Sequence, residues 1–151
     1  MSGVLLDTNV LIALLWPAHQ SHALVQRWFA HNARRGWATC PLTQTGFVRI
    51  VSNPSFSRDA VEPEQALLVL KHNLQHPSHR FWPAAIDCAD ALAPCRGRLV
   101  GHRQVTDAYL LGLAIHSKGR LVTLDRGFAS LLSAQSPERS RIELLDAPPV
   151  T

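Results

Sequence analysis

GVLLDTNVLIALLW, residues 3–16, sets an acid between two apolar runs of different character. Gly3–Leu6 is short and unbroken, as a buried strand is. Thr8–Trp16 continues in an apolar, helix-like pattern until Pro17 interrupts it. A strand passing straight into a helix is the alternation that builds α/β layers around a mainly parallel sheet.

The rest of the chain keeps that alternation. A second helix is expected over residues 21–33, with Leu24, Val25, Trp28 and Phe29 facing inward. Trp37–Cys40 reads as a strand, and Pro41–Val51 as a helix closed by Asn53-Pro54-Ser55. Glu62-Pro63-Glu64 opens a helix running to about His76. Arg80–Pro83 reads as a strand, Asp87–Ala93 as a short helix and Pro94–Arg103 as a basic loop. Thr106 is expected to N-cap a helix over Asp107–Ser117, with Gly119 at its C′ position. Leu121–Leu124, Phe128–Leu132 and Ile142–Leu145 read as strand, short helix and strand. The expectation is one α/β domain over residues 1–151 with a five-stranded sheet.

Composition agrees with a packed core, since 46% of residues are hydrophobic and only 17% are charged. No apolar run approaches the roughly 20 residues that span a bilayer. The run Val4–Trp16 is broken by Asp7 and Asn9 and follows no basic stretch, which argues against a signal peptide and for a cytoplasmic protein. Cys40, Cys88 and Cys95 are odd in number and lack C-x-x-C spacing, so neither disulfides nor a cysteine zinc site is expected. The formal charge is +4, and only Lys71 and Lys118 among the 15 basic residues are lysines. Arginine's planar fork suits phosphate, although an arginine-rich chain can equally reflect genome composition. P-loop and G-x-S-x-G signatures are absent, which disfavours an NTPase or a serine hydrolase. His72, His76 and His79 have helical spacing but no acid or cysteine beside them, and read as a polar helix end.

The chemistry lies in three acids. Asp7 ends the first strand, Asp125 ends the fourth in LVTLD, and Asp107 opens the helix before that strand. If strands one and four are neighbours at a topological switch point, the three carboxylates meet at one edge of the sheet. Carboxylates so placed repel one another unless something positive compensates, and Mg²⁺ or Mn²⁺ suits oxygen ligands. The alternative is that each aspartate only caps a helix or forms a turn.

Four blocks carry a resemblance. LLDTNVLIAL at 5–14, TQTGFVRI at 43–50, VTDAYLLGLA at 105–114 and LVTLDRGF at 121–128 resemble, in order and separation, the PIN domains. Among these, they are most similar to the VapC-type toxins of bacterial toxin–antitoxin operons, particularly the group abundant in mycobacteria. The resemblance implies a PIN-like three-layer sandwich and cleavage of RNA (tRNA or ribosomal RNA) with a divalent metal. It also implies homodimerisation and a VapB-type antitoxin whose C-terminal segment occludes the acidic cleft. By position, Asp7, Asp107 and Asp125 correspond to metal-binding catalytic acids. Asn9 falls in the D-x-N element, where an amide can orient a neighbouring carboxylate.

Gln44 stands where the family usually has Glu. It keeps the oxygen and the reach but not the charge, so the catalytic set would hold three carboxylates instead of four. Asp87 and Asp90 are conceivable substitutes. Arg49 and Arg126 flank the motifs and can be read as phosphate contacts or as solvated surface. Arg96, Arg98 and Arg103, with His102, form a candidate RNA-backbone track or an ordinary basic loop. Two rival readings are an RNA- or partner-binding module weakened at Gln44, and a metal phosphohydrolase acting on small phosphoesters. The second lacks a D-x-D-x-T pattern.

Overall fold

The computed structural model describes residues 3–146. Five strands, β1 (Val4–Leu6), β2 (Trp37–Thr39), β3 (His79–Phe81), β4 (Arg120–Thr123) and β5 (Ile142–Leu144), form one sheet in the order β3-β2-β1-β4-β5. Every neighbouring pair is parallel, so the sheet expected to be mainly parallel is wholly so. Leu5 lies opposite Ala38 on one side and Leu121 on the other. The chain therefore builds outward from β1 in one direction, then returns to place β4 on its other side. That makes the β1–β4 junction the switch point, where parallel sheets leave a crevice at the carboxyl ends of their strands.

Six helices cover the two faces: α1 (Thr8–Leu15), α2 (His22–Asn32), α3 (Pro41–Val51), α4 (Pro63–Asn73), α5 (Cys88–Leu92) and α6 (Val105–His116). Side-chain alternation along the strands sorts them. Val4, Leu6, Trp37 and Val122 point into a core shared with α1–α4. Leu5, Ala38 and Leu121 point the other way, into a core with α5, α6 and Phe128. Both cores are closed to solvent, with Trp37, Phe47, Trp82 and Phe128 no more than 1% exposed. Fully burying a side chain of this kind stabilises by about 1.5–3 kcal/mol before entropy is counted.

Local signals fix most helix starts. Pro41 opens α3, with the Thr43 hydroxyl accepting from the Cys40 N–H at 3.0 Å. Pro63 opens α4, with Gln65 Oε1 accepting from the Glu62 N–H at 3.1 Å. Helix α4 ends at Asn73 instead of near His76. His76 and His79 turn inward instead, with ring centroids 5.8 and 4.8 Å from that of Trp37.

Helix α6 departs from expectation at both ends. It begins at Val105, directly after a 3₁₀ segment over His102–Gln104, so Thr106 lies inside it and is not its N-cap. Beyond its end, Lys118 takes the left-handed conformation (φ 57°), not Gly119. Gly119 is needed for space: a Cβ there would stand 2.5 Å from the Trp82 ring and 2.8 Å from the Gly3 carbonyl. The basic segment before α6 is also not a plain loop, since 3₁₀ turns occupy Ala93–Cys95 and His102–Gln104.

Candidate active site

Asp7 follows β1 at the C-terminal edge of the sheet and is 5% exposed. Its backbone N–H donates to the Val122 carbonyl at 3.0 Å, which anchors it against β4. Its Oδ1 accepts from the Thr8 N–H at 2.8 Å, capping α1, and its Oδ2 accepts from the Thr123 hydroxyl at 2.8 Å. Thr123 is fully buried at the end of β4 and also accepts from the Asp125 N–H at 3.0 Å. One threonine thus ties together two of the three acids.

Asp125 itself is exposed. Its Oδ1 accepts from the Gly127 N–H at 2.8 Å, capping a 3₁₀ turn. The half-buried Asp107 sits in the first turn of α6. The capping reading of Asp7 and Asp125 therefore holds, and it coexists with a second property.

That property is uncompensated charge. Burial raises the Asp7 carboxyl above its ordinary range, against the opposing hydrogen bonds from Thr123 and Thr8, and the charge on Asp125 raises it further. Burial pushes Asp107 up to about 6, helped by the negative charges of Asp7 and Asp125. Among the described residues the ion pairs are Arg120–Glu143, Arg126–Asp146 and Arg141–Glu138, none of which involves these acids. An arrangement of oxygen donors that repel one another and lack a basic partner has the chemistry of a hard-cation site. Among the described residues, no three His, Cys, Asp or Glu side chains already close on a single point. A cation that keeps several waters requires only one or two direct carboxylates, which this arrangement supplies.

The other candidate residues fall into two groups. Gln44 lies on α3, with Nε2 donating to the buried Thr39 hydroxyl at 2.9 Å. Thr39 Oγ1 in turn lies 2.8 Å from His79 Nε2. Burial lowers the His79 imidazole below its ordinary range, although a hydrogen bond to the Leu74 backbone opposes the shift. The neutral ring accepts from Thr39, which leaves the threonine oxygen free to accept from Gln44. A carboxylate at position 44 has no proton to give, so the glutamine is matched to this chain of bonds.

Asn9 is exposed at the start of α1, and the groups orienting Asp7 are Thr8 and Thr123. Arg126 Nη2 donates to both oxygens of Asp146, at 2.8 and 2.9 Å. Arg49 is exposed in the last turn of α3, about 8 Å further along the axis than Gln44. Arg96, Arg98 and Arg103 are exposed between α5 and α6, and Arg98 Nε donates to the Ser130 carbonyl at 2.9 Å. Asp87 and Asp90 are exposed, and Asp87 caps α5 through the Asp90 N–H at 2.9 Å.

Comparison with known proteins supplies the context. Residues 4–131 match the PIN domain family. The chain is 44% identical over 130 residues to ribonuclease VapC39 of Mycobacterium tuberculosis, covering 86% of this chain and 94% of that one. It is 44% identical over 141 residues to ribonuclease VapC38 of the same organism, covering 93% and 96%. In fold it is similar to the crystal structure of VapBC2 from Rickettsia felis bound to a promoter DNA fragment, with a TM-score of 0.62 at 19% identity over 95% of this chain and 98% of that one. It also resembles DNA-bound VapBC from Salmonella typhimurium, with a TM-score of 0.64 at 18% identity over 97% and 100%. With this sheet order, these acids at its switch point and this extent of match, the chain belongs to the PIN-domain family and, within it, to the VapC group.

Proposed function

We propose that the chain is the toxin of a type II toxin–antitoxin pair, a divalent-metal-dependent endoribonuclease that inhibits translation by cutting tRNA or ribosomal RNA in the cytoplasm. The observation that carries this reading is the uncompensated negative charge of Asp7, Asp107 and Asp125 at the carboxyl edge of β1 and β4. Asp7, Asp107 and Asp125 would hold Mg²⁺ or Mn²⁺. The ion supplies charge neutralisation and Lewis-acid activation of water and phosphodiester.

The chain's own residues prepare the site. Thr123 and Thr8 hold the Asp7 carboxylate in one orientation and favour its charged form. Gln44 contributes a neutral amide fixed by Thr39, so it can orient a ligand but cannot act as a base. Arg103, Arg98, Arg96 and Arg49 are the side chains assigned to RNA phosphates, Arg126 being held by Asp146, while Asn9 borders the reacting region.

A partner is supported by surface left uncovered. Leu67 and Leu68 on α4 are 54% and 67% exposed, and a cavity of about 530 Å³ sets Leu14, Leu15, Phe29 and Trp37 beside the polar Gln26, Arg27, Asn73 and His76. Apolar surface of this kind marks protein contacts, here assigned to a VapB-type antitoxin and a second copy of the chain. Among the described residues no helix is long and apolar enough to cross a membrane.

The test is incubation of antitoxin-free protein with total cellular RNA, with Mg²⁺ or Mn²⁺ against EDTA, beside Asp7→Ala. Discrete metal-dependent cleavage that disappears in the variant is the expected result. Intact RNA in every lane, with RNA still bound, would instead favour a binding module disabled at Gln44, the reading that its neutral, Thr39-tied amide supports. Turnover of a small phosphoester with RNA left whole would overturn both.

A further inference from the structure

A second cavity, of about 520 Å³, opens beside the acids and shares Asn9 and Asp125 with their surroundings. Its remaining wall comes from the α1–α2 turn, with His19, Gln20 and Leu24, and from the ends of β4 and β5, with Leu124, Leu145 and Asp146. None of the functional assignments above uses this turn.

The lining decides what fits. Asp125 and Asp146 border the cavity, and Arg126, the cation nearest to them in sequence, is taken up by both Asp146 oxygens. A phosphate entering there would meet negative charge without a free arginine, so the cavity is not a backbone site. Leu24, Leu124 and Leu145 offer apolar surface to a flat ligand. The amides of Asn9 and Gln20 can donate and accept. His19 Nδ1 accepts from the Ser21 N–H at 3.0 Å, which places the ring proton on Nε2 and leaves that atom a donor. Burial and the neighbouring His22 lower the His19 imidazole and keep it neutral.

Apolar walls with mixed donors, acceptors and carboxylates, and no arginine or lysine among the described lining residues, match the polar edge and flat faces of a nucleobase. From this lining we infer that the cavity seats one unpaired base of the RNA beside the cut, and that it favours a base carrying an exocyclic amine (A, C or G) over uracil. Each Asp146 oxygen keeps a second lone pair beside its bond to Arg126, so this acceptor-only edge rewards an amine donor and repels a uracil carbonyl in its place. The inference rests on the ribonuclease reading and adds a specificity pocket to it.

The experiment uses single-stranded RNA oligonucleotides with each base permuted through the positions flanking the cut. Cleavage is read in Mg²⁺ or Mn²⁺, and binding in EDTA by fluorescence anisotropy. Wild type is expected to disfavour uridine about tenfold at one flanking position, in both readouts. Asp146→Asn replaces one carboxylate oxygen with an amide donor that a uracil carbonyl can accept from, and Gln20→Ala removes an exposed amide carbonyl. Each should bring that position to within about twofold while preferences elsewhere persist. Metal-dependent cleavage by wild type with no such position, or with a preference unchanged in both variants, overturns the pocket and leaves the ribonuclease standing. Absence of any wild-type cleavage overturns the ribonuclease reading and the pocket with it.

Discussion

The Thr123 hydroxyl donates to Asp7 Oδ2 at 2.8 Å, joining the end of β4 to the end of β1. The same oxygen accepts from the Asp125 N–H at 3.0 Å, so a buried, uncharged residue sets the relation between two acids. Removing it isolates this contribution, because valine has the same shape without the hydroxyl. Thr123→Val should leave Asp7 harder to ionise and lower metal affinity or activity about 10–100-fold, as loss of such a supporting partner does. Thr123→Ser should recover most of that loss. The check is the Mg²⁺ dependence of cleavage for all three proteins, with circular dichroism to show that the fold persists.

Asp107 makes the metal-free protein sensitive to pH. Its folded pKa, about 6, lies above the value of about 3.9 expected in the unfolded chain, so its ionisation costs stability. That cost is absent below the unfolded pKa, grows as pH rises and is complete above about 6. After allowance for its half-exposed setting it is of order 1 kcal/mol. In EDTA the Tm should therefore fall by a few degrees between pH 4.5 and 7 on this account, and Asp107→Asn should flatten that slope. With metal present the sign reverses for function, because cleavage should weaken as pH drops through 6 and protons displace the cation.

Gln44→Glu tests why an amide stands at this position. The new carboxylate cannot donate to Thr39, so the Thr39 hydroxyl must turn to donate to it and stop donating to His79. His79 then becomes the donor to Thr39, and its imidazole pKa should rise from its lowered value, which NMR titration of the ring reads directly. The added charge should also tighten Mn²⁺ binding. An unchanged His79 titration would mean that the three side chains do not act together.

Five residues along α6 from Asp107, Gly112 tests the packing of the second layer. A Cβ there would stand 1.9 Å from the Ala91 carbonyl oxygen, on the backbone of α5. Gly112→Ala should destabilise by about 2–3 kcal/mol or more, since backbone must move to admit the methyl group. Chemical denaturation measures this, and activity per folded molecule should be little changed.

Much of this arrangement is legible in the sequence, for physical reasons. Asp7 and Asp125 stand out because each ends an unbroken apolar strand, and the alternation of strand and helix implies their common edge. Thr123 escapes notice because a β-branched residue in LVTLD reads as ordinary strand. The Gln44–Thr39–His79 link spans 40 residues between its ends in Thr39 and His79 and has no local signature. Asp125's exposure depends on where the chain turns after β4, which no periodicity records. Gly119 misleads because a glycine after a helix suggests a left-handed cap, while here it answers a tertiary demand for space.

Direct measurement of Mn²⁺ binding by electron paramagnetic resonance, on wild type beside Asp7→Asn and Asp107→Asn, bears most closely on the claim that these carboxylates form a cation site. The account predicts that wild type removes Mn²⁺ from the free-ion signal, that Mg²⁺ competes for it, and that both variants lose most of that binding while remaining folded. Binding that is equal in all three proteins, or absent from folded wild type at neutral pH, would contradict it.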